Sequence, residues 1–287
     1  MTEDVLEILI FNVGQAQAIF FYPRSNPKYG MFVDCAESED CRPVDFLVEN
    51  GFIHKEGDKY ILSNLTVTNY DQDHFSGLPN LRDKAHIHTV RLANNVSSQE
   101  LKEIKEEVTD ALEHLCEIKD EYNSPVQNYE PPYSVRTYNL EQNELEAEEI
   151  NTNHLSQLVF VEYCGSKICI CGDLEESAWE KMLQKPEVQV ELKNTNVMVA
   201  PHHGRDNGYH EDIFKYCKNL DCVIISDKEL MYDTQTSMSD KYGKQVAVGV
   251  NFNGNDSGRK VLSTRSDGHL WIRFDASSNR TYKNFTI

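Results

Sequence analysis

The sequence predicts one α/β domain over residues 1–287, built from stacked sheets that helices cover. Strand-rich and helical segments alternate along the whole chain, and no repeat or Pro/Ser-rich linker divides it. Hydrophobic residues make up 39% of the 287 residues and aromatic residues 10%, which is enough apolar material for a full core. A disordered chain is therefore excluded.

The first third of the chain alternates short strands with polar turns. Apolar, β-branched and aromatic runs predict strands at 5–13, 18–22, 31–33, 65–68 and 88–92. Helices are predicted at 43–50 and 79–83. Pro43 at the start of the first helix and Gly51 just past its end follow the usual placement of proline and glycine around helices.

The segment 97–122 has the clearest helical pattern, and we interpret it as a helical insertion in the domain. Ser98 and Glu100 stand near its start. Apolar residues then follow at steps of three or four, at Leu101, Ile104, Val108, Leu112, Leu115 and Ile118. This stripe predicts one continuous helix with a solvated acidic face.

The second half predicts strands at 135–138, 158–163, 166–171, 197–200 and 223–226, with helices at 175–183 and 212–216. The polar segment 227–257 predicts a mobile region, interrupted only at 246–252. The segments 260–264 and 269–274 predict a closing hairpin. The acidic tract 141–149 predicts an exposed loop or a surface for a protein partner.

Charge and composition restrict the function. The net charge of −19 opposes tight, indiscriminate binding to DNA, because proteins that rely on phosphate contacts present basic surfaces. The start of the chain is acidic and no apolar run approaches the ~20 residues of a membrane span, which predicts a cytoplasmic protein without membrane contact. The eight cysteines form no CxxC pair, and we interpret them as reduced core thiols, with a zinc–thiolate site as the alternative.

Four polar clusters each lie at an end of an apolar strand: Asn69/Asp71/Asp73/His74, Asn153/His154/Ser156, Asp173, and His202/His203. Loops at one edge of a sheet converge, so groups about 100 residues apart can meet there. Carboxylates and imidazoles at such an edge suit a site for two divalent ions. Taken alone, the first cluster also fits a solvated Asn/Asp-rich turn.

These stretches resemble the metallo-β-lactamase-fold hydrolases, and more closely the hydrolase domain of ComEC-type competence proteins. FNVGQAQAIFF is similar to the opening D-V-G-Q-G-D-A motif of that branch, and FVDCAES to its strand ending in I-D-x-G. VTNYDQDHFSGL resembles its T-H-x-D-x-D-H-x-x-G-L signature. NHLSQLVFVEYCGSKICICGD, VAPHHGRDN and KVLSTRSDGHLWI resemble its later motifs in the same order. The resemblance spans nearly the whole chain and implies an αββα sandwich of the metallo-β-lactamase type.

The resemblance also implies roles for individual residues. Asp73 and His74 would bind one metal ion together with His203, and Asp173 would bridge both ions. Asp71 would bind the other ion, helped by the loop with Asn153, His154 and Ser156. His202 would support the ligands or contact substrate, and Asp34 would buttress the site from beneath. Apart from the resemblance, we expect Arg205, a nearby cation, to stabilise the transition state.

Several of these roles have an ordinary structural alternative. Asp173 can be a helix N-cap, which is compatible with metal binding. His154 can be an exposed loop histidine, and Arg205 a surface residue.

The chain departs from the family pattern at three places. Ala16-Gln17 stands where the opening motif has glycine and aspartate. Asn69 stands where the family has its first histidine, which weakens one metal site and favours Mn²⁺ or Mg²⁺ over Zn²⁺. The segment 228–236 has no histidine where the family has one. One site is therefore expected to be weak.

The resulting prediction is a metal-dependent phosphodiesterase, most simply a nuclease in which a metal-bound hydroxide attacks the phosphorus of DNA or RNA. Single strands or ends suit the acidic surface better than duplexes do. Two alternatives remain open: a hydrolase of a small phosphodiester or cyclic nucleotide, and a degenerate, non-catalytic subunit of a larger complex.

Overall fold

The structure is a computed structural model that describes residues 4–105, 107–126, 129–146, 150–228 and 234–287. The strands are β1 Val5–Ile10, β2 Ala18–Pro23, β3 Met31–Cys35, β4 His54–Glu56, β5 Lys59–Thr66, β6 Ala85–Arg91, β7 Ser134–Asn139, β8 Gln157–Tyr163, β9 Ser166–Ile170, β10 Val197–Val199, β11 Cys222–Ile225, β12 Val250–Phe252, β13 Asn255–Arg259, β14 Val261–Ser263, β15 His269–Asp275 and β16 Arg280–Phe285. The helices are α1 Pro43–Glu49, α2 Gln72–Phe75, α3 Leu78–Lys84, α4 Ser98–Ile104, α5 Asp110–Glu121, α6 Glu176–Met182, α7 Pro186–Lys193, α8 Ile213–Tyr216, α9 Thr234–Gly243 and α10 Thr264–Asp267.

The strands of these ranges form two sheets. The first has the order β13-β12-β16-β15-β1-β2-β3-β5-β4, and β6 also pairs with β5. The second has the order β14-β11-β10-β9-β8-β7. In the second sheet β9, β10, β11 and β14 are parallel, so their carboxyl ends lie at one edge. Strands β3 and β5 of the first sheet are also parallel to each other.

The central strands, such as β1 and β9, are buried on both faces and are therefore almost continuously apolar, whereas β6 and β16 keep exposed side chains on at least one face. Side chains at alternate positions, such as Ile8 of β1 and Ile170 of β9, form a core between the sheets. Their neighbours, such as Leu9 and Cys169, point outward into a second core beneath the helices. The alternation follows from the two-residue period of a strand.

The predicted helix over 97–122 is wrong in one respect: the segment folds as two helices, α4 and α5. Lys105 leaves α4 in extended conformation, and Thr109 starts α5 as an N-cap whose Oγ1 accepts from Leu112 N. Ile104 and Val108, which the stripe places in the core, are 38% and 45% exposed because they flank the break. Helix α5 packs against α2 and α3.

The predicted closing hairpin is also wrong. Strand β14 pairs in parallel with β11 in the second sheet, whereas β15 pairs with β1 and β16 in the first. Between them the chain forms α10 and crosses from one sheet to the other. Local turn residues cannot reveal that two neighbouring strands belong to different sheets.

The segment 227–257, predicted as polar and mobile, contains α9, β12 and part of β13 in its described part. Strand β4, helix α7 and strand β16 lie where no element was predicted. Residues 147–149 of the acidic tract and 229–233 of the segment 228–236 lie outside the described residues.

The cysteines are free thiols, as predicted, and seven of the eight are buried. The prediction that all eight lie in the core is wrong for Cys164, which is exposed at the turn between β8 and β9. Burial raises the pKa of the Cys35 and Cys169 thiols, so these groups stay protonated and apolar. None of the helices in the described ranges has both the length and the apolar character of a membrane span.

Candidate metal centre

The candidate site lies where strand ends of both sheets meet. Asp173 follows β9 and the pair His202-His203 follows β10. From the other sheet, Asp34 lies near the end of β3, and Asp73 and His74 lie on α2 just beyond β5. Parallel strands bring groups that are distant in sequence to one rim.

The chain after β10 adopts an unusual backbone at this rim. His202 and His203 both have positive φ angles, of 50° and 52°, and Gly204 follows at 74°. Left-handed conformations are uncommon for residues with a side chain and cost free energy. At Gly204 an added Cβ would lie 2.9 Å from Cγ2 of Ile225, so only glycine fits there. Strain of this kind is found where a side chain must be aimed at a functional site.

Four side chains bring their ligand atoms together: Asp73, His74, Asp173 and His203, with all four atoms within 4.8 Å of one another. Nε2 of His74 is 3.1 Å from Oδ1 of Asp173, and Nε2 of His203 is 3.6 Å from the same oxygen. Nε2 of His203 is also 3.3 Å from Oδ2 of Asp73. Two ligand atoms that each lie about 2.1 Å from one cation can be at most about 4.2 Å apart, and the three pair distances given above are within that limit.

The two imidazole rings are held so that Nε2 faces the cluster. Nδ1 of His74 donates to Oδ2 of Asp34 at 2.7 Å. Nδ1 of His203 donates to the carbonyl of Ser226, the residue after β11, at 3.0 Å. Metal-binding histidines usually donate their other ring nitrogen to a carboxylate or carbonyl in this way. Both rings therefore offer a lone pair on Nε2.

Asp34 is fully buried and has a positive φ of 55°. Its carboxylate accepts hydrogen bonds from Gln17 Nε2 and Thr68 N, both at 2.6 Å, and from the Thr68 hydroxyl. The structure thus places Asp34 beneath His74. The sequence reasoning missed Gln17, Thr68 and Ser226, although Thr68 directly precedes the first polar cluster and Ser226 ends a predicted strand.

The donor set fits a divalent cation. Nε2 of His74, Nε2 of His203 and Oδ1 of Asp173 are buried atoms without a hydrogen-bond partner. Buried polar atoms are normally satisfied, so three unsatisfied atoms aimed at one point indicate a ligand. Two imidazoles and two carboxylates suit ions such as Zn²⁺, Mn²⁺ or iron.

The pKa shifts of the clustered residues agree with a cation site. Burial alone would lower the pKa of His74, but the carboxylates of Asp173 and Asp34 outweigh it and raise that pKa well above its ordinary value. Burial alone would raise the pKa of Asp173, but His74 and His203 lower it. The cluster therefore attracts positive charge, as protons or as a metal ion.

Asp71 and Asn69, expected at a second ion, lie outside the four-residue cluster. Asp71 contacts Lys105 and accepts from the Thr152 hydroxyl. Asn69 is buried and donates to Ser156 Oγ at 2.9 Å. Ser156 Oγ in turn accepts from the backbone N–H of Asp173 at 3.1 Å, so this network supports the loop that carries Asp173.

His154 and His202 face Glu175, which precedes α6, and not the cluster. Nε2 of His154 is 3.5 Å from one carboxylate oxygen of Glu175, and Nδ1 of His202 is 3.4 Å from the other. Asn153 donates to Glu175 at 2.9 Å. His202 Nε2 lies 2.9 Å from the guanidinium of Arg205, which is exposed at the rim. Burial lowers the pKa of His202.

No protein-family model matches the chain, and no curated protein matches its sequence significantly. Solved structures share its fold. Yeast PDE1 is 12% identical with a TM-score of 0.52, over 94% of this chain and 99% of the other. The E377D mutant of the β-hydroxylase CmlA, a Streptomyces venezuelae protein, is 13% identical with a TM-score of 0.51. That match covers 95% of this chain and 54% of CmlA.

The metallo-β-lactamase-fold protein YhfI from Bacillus subtilis is 8% identical with a TM-score of 0.47, over 91% of this chain and 97% of the other. The two stacked sheets, covered by helices on their outer faces, have the αββα layer order that the sequence predicts. At identities this low the similarity concerns the fold and not the reaction. The ComEC-type branch stays a prediction.

Proposed function

We propose that this chain is a metal-dependent hydrolase that cleaves phosphodiesters. One observation carries the proposal: Asp73, His74, Asp173 and His203 aim their ligand atoms at a common point, where three of these atoms have no hydrogen-bond partner. When bound there, a divalent ion supplies a water of lowered pKa and stabilises negative charge on phosphorus.

Residues of the chain itself orient the two imidazoles and accept a proton. Asp34 and the Ser226 carbonyl hold the two imidazoles in one tautomer and one orientation. The side chain of Asp73 is 34% exposed, whereas those of His74, Asp173 and His203 are at most 4% exposed. Asp73 therefore marks the open side of the cluster, where water and substrate arrive. Its carboxylate is the group placed to accept a proton there.

Arg205 is the cation that we assign to the substrate phosphate. It is exposed at the same rim, three residues from His202, and a planar guanidinium matches two phosphate oxygens. Because His202 contacts Arg205, we assign His202 the role of holding the guanidinium at the mouth of the site.

Single-stranded DNA or RNA, or its ends, is the substrate class that we favour, following the sequence motifs. The net charge of −19 favours a second candidate, a small phosphodiester or cyclic nucleotide, because a short substrate needs few phosphate contacts. The acidic surface also suits a basic protein partner, which could supply the missing contacts to a polymer.

The test is a hydrolysis assay on single-stranded and duplex DNA and RNA, a cyclic nucleotide and a chromogenic phosphodiester, each with Mn²⁺, Mg²⁺ or Zn²⁺. We expect Asp73→Ala and Asp173→Ala to lower the rate at least about 100-fold. Asp256→Asn, which removes an exposed carboxylate on β13, serves as the control. If both site variants cut as fast as the parent, the assignment is wrong.

Elemental analysis of the purified protein distinguishes the metal-dependent hydrolase from the non-catalytic alternative. We expect bound Mn, Zn or Fe after reconstitution. Near-zero metal content together with no hydrolysis of any of these substrates would instead support a binding subunit.

A further inference from the structure

We propose that this chain binds one divalent ion instead of two, and that the ammonium group of Lys105 takes the place of the second. The inference rests on the proposed metal centre at Asp73, His74, Asp173 and His203. It concerns Asp71 and Asn69, two of the residues expected at a second ion. In the described part of the chain, Oδ1 of Asp71 and both polar atoms of the Asn69 amide are engaged by other protein groups.

The carboxylate of Asp71 is neutralised within the chain. Its Oδ1 contacts Nζ of Lys105 and also accepts from the Thr152 hydroxyl at 2.8 Å. The Asp71 and Lys105 side chains are 33% and 20% exposed, so solvent screens the pair only in part. A divalent ion at the same oxygen would meet a fixed positive charge and would have to displace it.

The Asn69 side chain is held by hydrogen bonds at both its amide oxygen and its amide nitrogen. Its Oδ1 accepts from the backbone N–H of Asp71 at 2.5 Å. Its Nδ2 donates to Ser156 Oγ, to Asn153 Oδ1 at 3.2 Å and to the Thr152 carbonyl at 3.3 Å. Because an amide oxygen and an amide NH₂ are both used, binding a cation through Asn69 would break a buried network.

The break between α4 and α5 is what brings Lys105 to this position. Lys105 is the residue at which α4 ends, and its extended backbone takes the chain away from the helix axis. Had 97–122 formed one helix, Lys105 would have continued a helical surface and not ended beside Asp71. The break therefore has a direct consequence for the site.

The experiment measures ion stoichiometry, which does not depend on activity. Titration calorimetry and native mass spectrometry with Mn²⁺ should give one ion per chain, and the electron paramagnetic resonance spectrum should be that of isolated Mn²⁺. Asp71→Asn should keep one ion with its affinity within about threefold, whereas Asp173→Asn should weaken it at least about tenfold. Two ions in the parent chain, or an ion lost in Asp71→Asn, would overturn the inference.

Lys105 is tested with a neutral and a conservative variant. Lys105→Gln removes the charge that excludes a second ion, so a second, weaker Mn²⁺ should bind, while Lys105→Arg should stay at one ion. Circular dichroism shows whether both variants are folded. If folded Lys105→Gln binds Mn²⁺ as the parent does at every concentration, Lys105 does not take the place of an ion.

The two proposals fail differently. One ion without hydrolysis of any phosphodiester would reject the function and keep the single-ion centre. Hydrolysis by a chain that binds two ions would keep the function and reject the single-ion centre. A chain that binds no divalent ion would reject both.

Discussion

At the scale of single residues, the candidate centre depends on groups that orient the ligands as much as on the ligands. Asp34 accepts from His74, Gln17 and Thr68, and its own backbone is left-handed. Hydrogen bonds from several donors hold a buried carboxylate in one position. The ring of His74 is thereby fixed with Nε2 toward Asp173.

We predict that Asp34→Asn weakens divalent-ion binding about 10- to 100-fold. Asparagine has the same shape as aspartate. Its NH₂ group, however, would face the N–H and O–H groups that donate to Asp34 in the parent chain. The free energy of unfolding should also fall, by about 1–3 kcal/mol. Calorimetric titration with Mn²⁺ and urea denaturation measure the two effects.

Asp256→Asn is the matched control for this variant, because it makes the same chemical change at an exposed position. It should leave both quantities unchanged. Equal ion affinity in the parent and in Asp34→Asn would show that Asp34 does not orient His74.

At the scale of elements, the break between α4 and α5 is the feature with most influence on the site. Ser97 caps α4 with a reciprocal bond to Glu100, and Thr109 caps α5. Two separate N-caps make two helices stable where an apolar stripe alone favours one. Leu112 and Leu115 of α5 are then buried in the outer core, while Ile104 and Val108 are not.

We predict that Thr109→Ala lowers the free energy of unfolding by about 0.5–2 kcal/mol, because it removes the acceptor for Leu112 N. Thr109→Ser keeps the hydroxyl and should lose much less. Urea denaturation followed by far-ultraviolet circular dichroism measures the difference. Equal stability of the two variants would mean that the cap contributes nothing and that packing alone starts α5.

At the scale of the whole molecule, the two ends of the described chain are joined in the first sheet. Strand β15 pairs with β1, and His269 at its start lies beside Phe11 and Phe285. Nδ1 of His269 accepts from the backbone N–H of Asn12 at 2.9 Å, so the ring is neutral. Burial lowers the pKa of His269 below its ordinary value of 6.5.

This gives a pH dependence of global stability with a definite sign. The unfolded chain takes up a proton near pH 6.5, whereas folded His269 resists it until its lower pKa is reached. The contribution of His269 to the free energy of unfolding is therefore complete above pH 6.5. It is lost as the pH falls below that value, by at most about 1.4 kcal/mol per pH unit.

Comparing the parent with His269→Gln separates the effect of His269 on the pH dependence of stability from the effects of the other histidines. The glutamine oxygen can accept from Asn12 but does not titrate. Unfolding free energies at several pH values between 7 and 5 should therefore fall less steeply in the variant. Parallel curves for the two proteins would contradict the assignment.

From the sequence alone, the layered α/β class, most strands around the site and the four clustered ligands could be predicted. Alternating apolar residues mark strands, and polar groups directly after them mark a sheet edge, because both are local patterns. This pattern places Asp73, His74, Asp173 and His203 among a larger set of polar residues, and only the resemblance to the metallo-β-lactamase-fold hydrolases selects these four from it.

The tertiary structure decided the rest, since it depends on contacts between residues far apart in the chain. The crossing from β14 to β15, the support of His203 by Ser226 and the contact of Lys105 with Asp71 leave no periodic signal. Whether a carboxylate faces an ion or an ammonium group is set by which side chains the fold brings beside it. At Asp71 that neighbour lies 34 residues away, beyond a helix end that the local pattern did not reveal.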